Sequence, residues 1–105
     1  MSEVVLVVTQ KVLPDRVEEA RAALREAIEA VHARDEGCEL YALYAVPDDP
    51  ARLVMLEKWT SQEALQAHAR KPHIVALAGV EALDGPPEVV VLEPLGYGDA
   101  AKGRL

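Results

Sequence analysis

An unbroken apolar run, Val4-Val5-Leu6-Val7-Val8, opens the chain and stops at Leu13-Pro14-Asp15. A short run rich in β-branched residues predicts a strand over about residues 3–12. Asp15 with Glu18 three positions on resembles a capping box, and Val17, Ala20, Leu24, Ile28 and Val31 then recur at helical spacing. This pattern predicts an amphipathic helix ending near Gly37, a C-cap. Residues 39–46, with Tyr41, Tyr44 and Val46 before Pro47-Asp48-Asp49-Pro50, predict a strand ending in a solvated turn. A second strand from Leu53 to Trp59 returns as a hairpin. Thr60-Ser61-Gln62-Glu63 has the form of a capping box, starting a helix with Ala64, Leu65 and His68 on one face. Lys71-Pro72 interrupts that helix, and a further helical piece carries Ile74, Leu77, Ala78 and Leu83. After Asp84-Gly85-Pro86-Pro87, residues 88–93 hold the last β-branched run.

The order β-α-β-β-α-β is the ferredoxin-like arrangement, an α+β fold with a four-stranded antiparallel sheet and helices on one face. Residues 1–94 form the expected domain and residues 95–105, with Gly96, Gly98 and Gly103, a loose C-terminal tail. Three strands are apolar on both faces: Val4/Leu6/Val8 and Val5/Val7; Leu53/Met55 and Val54/Leu56; Val89/Val91 and Val90/Leu92. Side chains alternate between faces, so such strands need two covers. The helices supply one; the other face would expose an apolar patch unusual in a monomer. A homodimer through the sheet face follows.

Composition narrows the partners. The chain has 105 residues, half of them apolar, with 11 basic and 18 acidic side chains and a formal charge of −7. No basic run exceeds Arg70-Lys71, which argues against nucleic acid and anionic membrane surfaces. No apolar stretch approaches the roughly 20 residues of a membrane span, and the start Met-Ser-Glu-Val lacks the features of a secretory signal. A cytoplasmic location is the expectation.

Trp59, His68 and His73 form the one cluster with catalytic potential, since all three approach the cleft between helix and sheet. Each also has a plain structural reading. Trp59 suits a core, His68 a satisfied helix histidine as readily as an acid/base group, and His73 a helix-start residue. His68 and His73 are five apart across a proline, with no H-E-x-x-H and no companion cysteine, so no metal site is expected. Cys38, beside Asp35 and Glu36, lacks the electropositive surroundings of a reactive thiol and reads as buried and structural. His32 suits a helix C-terminus. No glycine-rich phosphate loop is present.

The blocks Asp35-Glu-Gly-Cys38-Glu-Leu-Tyr41, Leu53-Val-Met-Leu-Glu57-Lys-Trp59, Glu63-Ala-Leu-Gln-Ala-His68 and Lys71-Pro72-His73 resemble the antibiotic biosynthesis monooxygenase family of dimeric α+β barrel proteins. The resemblance implies oxygenation of a quinol or related electron-rich aromatic by O₂, with no cofactor. It makes His68 the base or orienting group, Trp59 a wall or indole donor and His73 a second polar contact. Tyr41 or Tyr44 would bind substrate if its strand face lines the pocket. The haem-degrading branch resembles itself in an Asn-Trp-His set; this chain has no Asn, and Val8 stands where that Asn would be. Two other readings remain: a non-catalytic dimeric module that binds a small ligand or serves in stress, and an isomerase of a phosphorylated autoinducer sugar, kept alive by Arg70 and Lys71.

Overall fold

The computed structural model describes residues 3–105, so residues 1 and 2 of the expected domain lie outside it. Strand β1 spans Val4–Lys11, helix α1 Val17–Arg34, β2 Cys38–Val46, β3 Asp49–Trp59, α2 Gln62–Ala69, α3 Pro72–Val75 and β4 Glu88–Leu92, with a 3₁₀ turn over Ala76–Gly79. The sheet is antiparallel in the order β2-β3-β1-β4, the ferredoxin-like α+β arrangement that the strand pattern predicts.

Register assigns the faces. Val4, Leu6, Val8 and Gln10 of β1 pair with Trp59, Glu57, Met55 and Leu53 of β3 and share the helix side. Tyr41 and Leu43 of β2 lie on the same side, opposite Glu57 and Met55, as do Val89 and Val91 of β4. Two clusters form the core there: Val4, Leu6, Val31, Tyr41, Met55 and Trp59 at one end, and Val12, Ala20, Leu24, Leu53 and Ala82 at the other. The outer side carries Val7, Val54, Leu56, Tyr44, Val90 and Leu92. Every residue of β4 is exposed, the apolar ones by 43% to 65%.

Several boundaries differ from the sequence expectation. Helix α1 begins after Arg16, not Asp15; Arg16 makes no side-chain cap but bridges Glu19 and Glu81. The helix stops at Arg34, and Asp35 is already extended, two residues before Gly37. Gly37 instead occupies the left-handed region at φ +81°, in the turn into β2. The cap of α2 is Ser61, whose Oγ accepts from Ala64 N at 3.1 Å; this shifts the expected capping box by one residue. In the hairpin the turn is Pro47-Asp48, and β3 already begins at Asp49. Leu83 is not helical: the 3₁₀ turn ends at Gly79, and Leu83 bridges Val12 as an extension of the sheet. The tail closes back on the sheet, Arg104 pairing with Glu3 and Lys58 Nζ donating to the Leu105 carbonyl.

Register shifts interrupt β2 between Cys38 and Leu40 and again between Ala45 and Val46. At the first, Cys38 opposes Trp59 and Leu40 opposes Lys58, leaving Glu39 as the extra residue of a bulge.

A methyl at residue 37 would lie 2.6 Å from Ala64 Cβ and 2.7 Å from Thr60 Oγ1, in a backbone conformation that L side chains resist. Gly37→Ala should therefore lower stability by about 1–3 kcal/mol, read as a fall in urea midpoint with an unchanged slope. An unchanged midpoint would show that the turn relaxes freely.

Candidate active site

The helix face of the sheet and the helices above it enclose a cavity of about 780 Å³. Its walls are chiefly apolar, from Leu6, Val8, Met55, Leu65, Ile74 and Leu77; His68, Tyr41, Glu57 and Gln10 are polar groups among them. An apolar pocket with a few convergent polar groups is the usual form of a small-molecule site.

The cluster at one end is built around a residue from outside the expected set. Asp35 leaves the end of α1 in extended conformation, and its side chain is 1% exposed. Oδ2 accepts from His68 Nδ1 at 2.6 Å and Oδ1 from His73 Nε2 at 2.8 Å. A buried carboxylate requires such donors, and its demand fixes the tautomers: each imidazole presents N–H to Asp35. His68 is left with a lone pair on Nε2, which no group bonds among the described residues. Two opposing influences act on His68. Burial lowers its pKa, the Asp35 carboxylate raises it, and burial prevails, so the ring is neutral near pH 7.

Trp59 is wholly buried and lies behind the cavity wall, not in it. Its ring is 4.4 Å from that of His68 and edge-on to Tyr41 at 6.2 Å, while Tyr41 meets His68 edge-on at 5.1 Å. Such pairs contribute roughly 0.5–1.5 kcal/mol each beyond burial and leave the imidazole little freedom to tilt. Trp59 Nε1 donates to Glu57 Oε1 at 3.0 Å. Glu57 is 5% exposed, and burial raises its carboxyl pKa against the smaller lowering effect of the indole hydrogen bond.

The five sequence candidates thus separate. His68 and His73 meet on Asp35, Trp59 and Tyr41 pack against His68, and His68 and Tyr41 reach the cavity. His73 supports from behind and lines a different groove, along α1. Tyr44 stands on the outer face, 55% exposed, and does not join them. Sequence reasoning passed over Asp35 and Glu57. Glu57 had a signal, since the alternation Leu53, Met55, Glu57, Trp59 puts a carboxylate on the core face of its strand. Asp35 had none, because a helix running to Gly37 would leave it in the last turn. Cys38 is half-buried, its thiol pKa raised first by burial and then by Asp35 and Glu57. His32 Nε2 donates to the Tyr41 carbonyl at 2.9 Å, pinning α1 to β2. Among the described residues no group of three or more His, Cys, Asp or Glu is disposed to hold a metal, and no helix is long and apolar enough to cross a membrane.

Comparison with known proteins places this geometry. Residues 3–79 match the family model described as Antibiotic biosynthesis monooxygenase. The protein Rv0793 of Mycobacterium tuberculosis, which bears the provisional name of a monooxygenase, is 37% identical over 83 residues, covering 73% of this chain and 80% of that one. Its solved structure is similar with a TM-score of 0.81 at 34% identity, over 93% of this chain and all of that one. PA3566 from Pseudomonas aeruginosa gives a TM-score of 0.82 at 26% identity, over 90% and 96% of the two chains. A Caulobacter crescentus structure provisionally named an antibiotic biosynthesis monooxygenase gives 0.82 at 23% identity over 88% and 89%, a likeness of fold alone.

The raised pKa of Glu57 has a stability consequence of fixed sign. Folding favours the protonated carboxyl, so its contribution is full below the unfolded-state value and is lost as pH rises through the folded-state value. Glu57→Gln, always neutral, should gain melting temperature relative to the wild type as pH goes from about 4 to about 8. A difference independent of pH would mean that the carboxyl titrates normally.

Proposed function

The chain belongs to the antibiotic biosynthesis monooxygenase family, and from that premise we propose that it oxygenates a quinol or related electron-rich phenol with O₂ and without a cofactor. The observation that carries this reading is the state of His68. Nδ1 is committed to Asp35, burial keeps the ring neutral, and Nε2 is the atom left to accept a proton from a ligand in the cavity. The arrangement follows the logic by which a carboxylate holds a histidine base in one tautomer.

A phenol that loses its proton to Nε2 becomes a phenolate, rich enough in electrons to reduce O₂ itself. One electron passes to O₂ and the two radicals join, forming a ring carbon–oxygen bond and, with a proton, a hydroperoxide. Glu57, protonated more readily than an ordinary carboxyl, can donate to the distal oxygen as the O–O bond breaks. That oxygen leaves as water, the ring carbon loses its hydrogen as a proton, and the other oxygen stays as a carbonyl. The substrate supplies every electron. The apolar walls favour the step by excluding water and strengthening the few polar contacts present. Among the described residues the walls carry no Lys or Arg, and neither Arg70 nor Lys71 reaches them. A phosphorylated sugar would find no cation there.

The same reading makes the protein a homodimer closed through the outer sheet face into an α+β barrel. Support comes from the contiguous, exposed apolar residues of that face, including Tyr44, Val90 and Leu92.

Two measurements test the proposal. Oxygen uptake with a reduced naphthoquinol should exceed autoxidation and fall by about 10²–10⁴-fold in His68→Ala and in Asp35→Asn, with an acid limb below the ordinary histidine value of about 6.5. Wild-type protein that never exceeds autoxidation would refute the activity. Sedimentation at micromolar concentration should show a dimer that Leu56→Glu converts to monomer; monomeric wild type would refute the assembly.

A further inference from the structure

Gln10 is a polar side chain in the cavity wall, four residues along β1 from the level of Glu57. It lies on the helix side of β1, opposite Leu53, is 8% exposed and forms part of the wall. Its Nε2 donates to the carbonyls of Lys11 at 2.7 Å and Gly85 at 3.1 Å. Two carbonyl acceptors on one end of the amide leave no doubt which end carries the nitrogen. Oε1 is therefore turned away from both, and no group bonds it among the described residues. It is an acceptor held in place by the amide's own donated bonds and left without a protein donor, in a wall that includes Val8, Leu53 and Met55.

The register gives the separation of the two polar ends. Leu6 pairs with Glu57 and Gln10 with Leu53; four residues along a strand at about 3.3 Å each is about 13 Å. For polar groups at those two levels, a ligand anchored by hydrogen bonds of about 2.8 Å at both ends would place its own polar atoms about 8 Å apart. A two-ring aromatic hydroxylated at its opposite ends has that length; a single ring does not.

We propose that Gln10 is a specificity-determining residue: its Oε1 accepts a hydrogen bond from the substrate end remote from His68. The cavity thereby selects extended two-ring phenols with a donor at each end over those ending in a bare ring. This rests on the reading that the cavity binds an aromatic against His68. The physical basis is the penalty for covering an acceptor with C–H. A bare-ended ligand desolvates Oε1 without replacing its partner, and sites built to bond a substrate hydroxyl discriminate strongly against analogues that lack it.

A purely structural role is also available to Gln10, since its bond to the Gly85 carbonyl tethers the segment after Leu83 to β1. The test must separate ligand discrimination from stapling. Binding of 2-naphthol and 2,6-dihydroxynaphthalene is measured by anaerobic calorimetry on the full chain. Wild type should bind the diol roughly tenfold tighter, well above the twofold that its symmetry confers. In Gln10→Leu, and in the longer Gln10→Met, the preference should collapse to about that twofold, with 2-naphthol affinity retained as proof of an intact cavity. Retention of the wild-type preference in both variants, or no preference in wild type, would overturn the assignment of Gln10 and leave the His68 reading standing. Failure of wild type to bind either naphthol would overturn both. Preserved discrimination without oxygen uptake would defeat the oxygenase reading alone.

Discussion

A carboxylate removed from water has to be met by donors, and in this fold Asp35 meets that demand with two imidazoles. The arrangement reaches into every helix. Helix α1 must stop at Arg34 to deliver Asp35; Gly37 must take up the left-handed turn that follows, against Thr60 and Ala64; α2 must start at the Ser61 cap to present His68; and Pro72 must break it to set His73. Losing the carboxylate would leave two buried N–H groups without acceptors, at about 1–3 kcal/mol each. The same contact that ties the helices together orients the His68 imidazole.

Burial acts with opposite effect on the two titratable groups beside the cavity. It moves the carboxyl of Glu57 up and the imidazole of His68 down, and both shifts favour the uncharged forms. In a chain of net charge −7, burial thus weighs against charge on both groups beside the cavity. Environments that separate the roles of neighbouring titratable groups are the general means of running acid and base chemistry at one pH. Trp59 serves this division without touching the cavity, by packing on His68 and bonding Glu57.

The fold was legible because its signals are local and repeated. β-Branched runs, helical spacing and proline punctuation sufficed for the element order, and the doubly apolar strands raised the expectation of a second cover. Boundaries were less legible where tertiary contacts override the local code: Arg16 is held by Glu19 and Glu81, and Leu83 is drawn onto Val12 although its neighbours resemble a helix. Of the candidate site, His68, Trp59 and His73 were readable as a cluster from type and spacing, while Tyr41 entered only through the family resemblance and undistinguished from Tyr44. Asp35 was not, since its role depends on the helix ending sooner than the glycine suggests. Glu57 was readable only through strand alternation, which marks a face without saying what covers it. Gln10 carried the same faint signal, closing the alternation Val4, Leu6, Val8 on the core face of β1.

The choice between Tyr41 and Tyr44 was settled by backbone arithmetic, not by side-chain chemistry. The hairpin fixes β2 from one end, with Tyr41 inward opposite Glu57; the turn at Gly37 fixes it from the other, with Cys38 opposite Trp59. Those two anchors are out of phase by one residue, and the bulge at Glu39 absorbs the mismatch. Loss of Glu39 would therefore leave both anchors in place, with Cys38, Leu40 and Tyr41 opposite Trp59, Lys58 and Glu57 in unbroken alternation. The length that cannot change lies on the other side: a residue lost between Tyr44 and the hairpin turn, with the turn and Cys38 held, would close the ladder without a bulge and exchange the faces of Tyr41 and Tyr44.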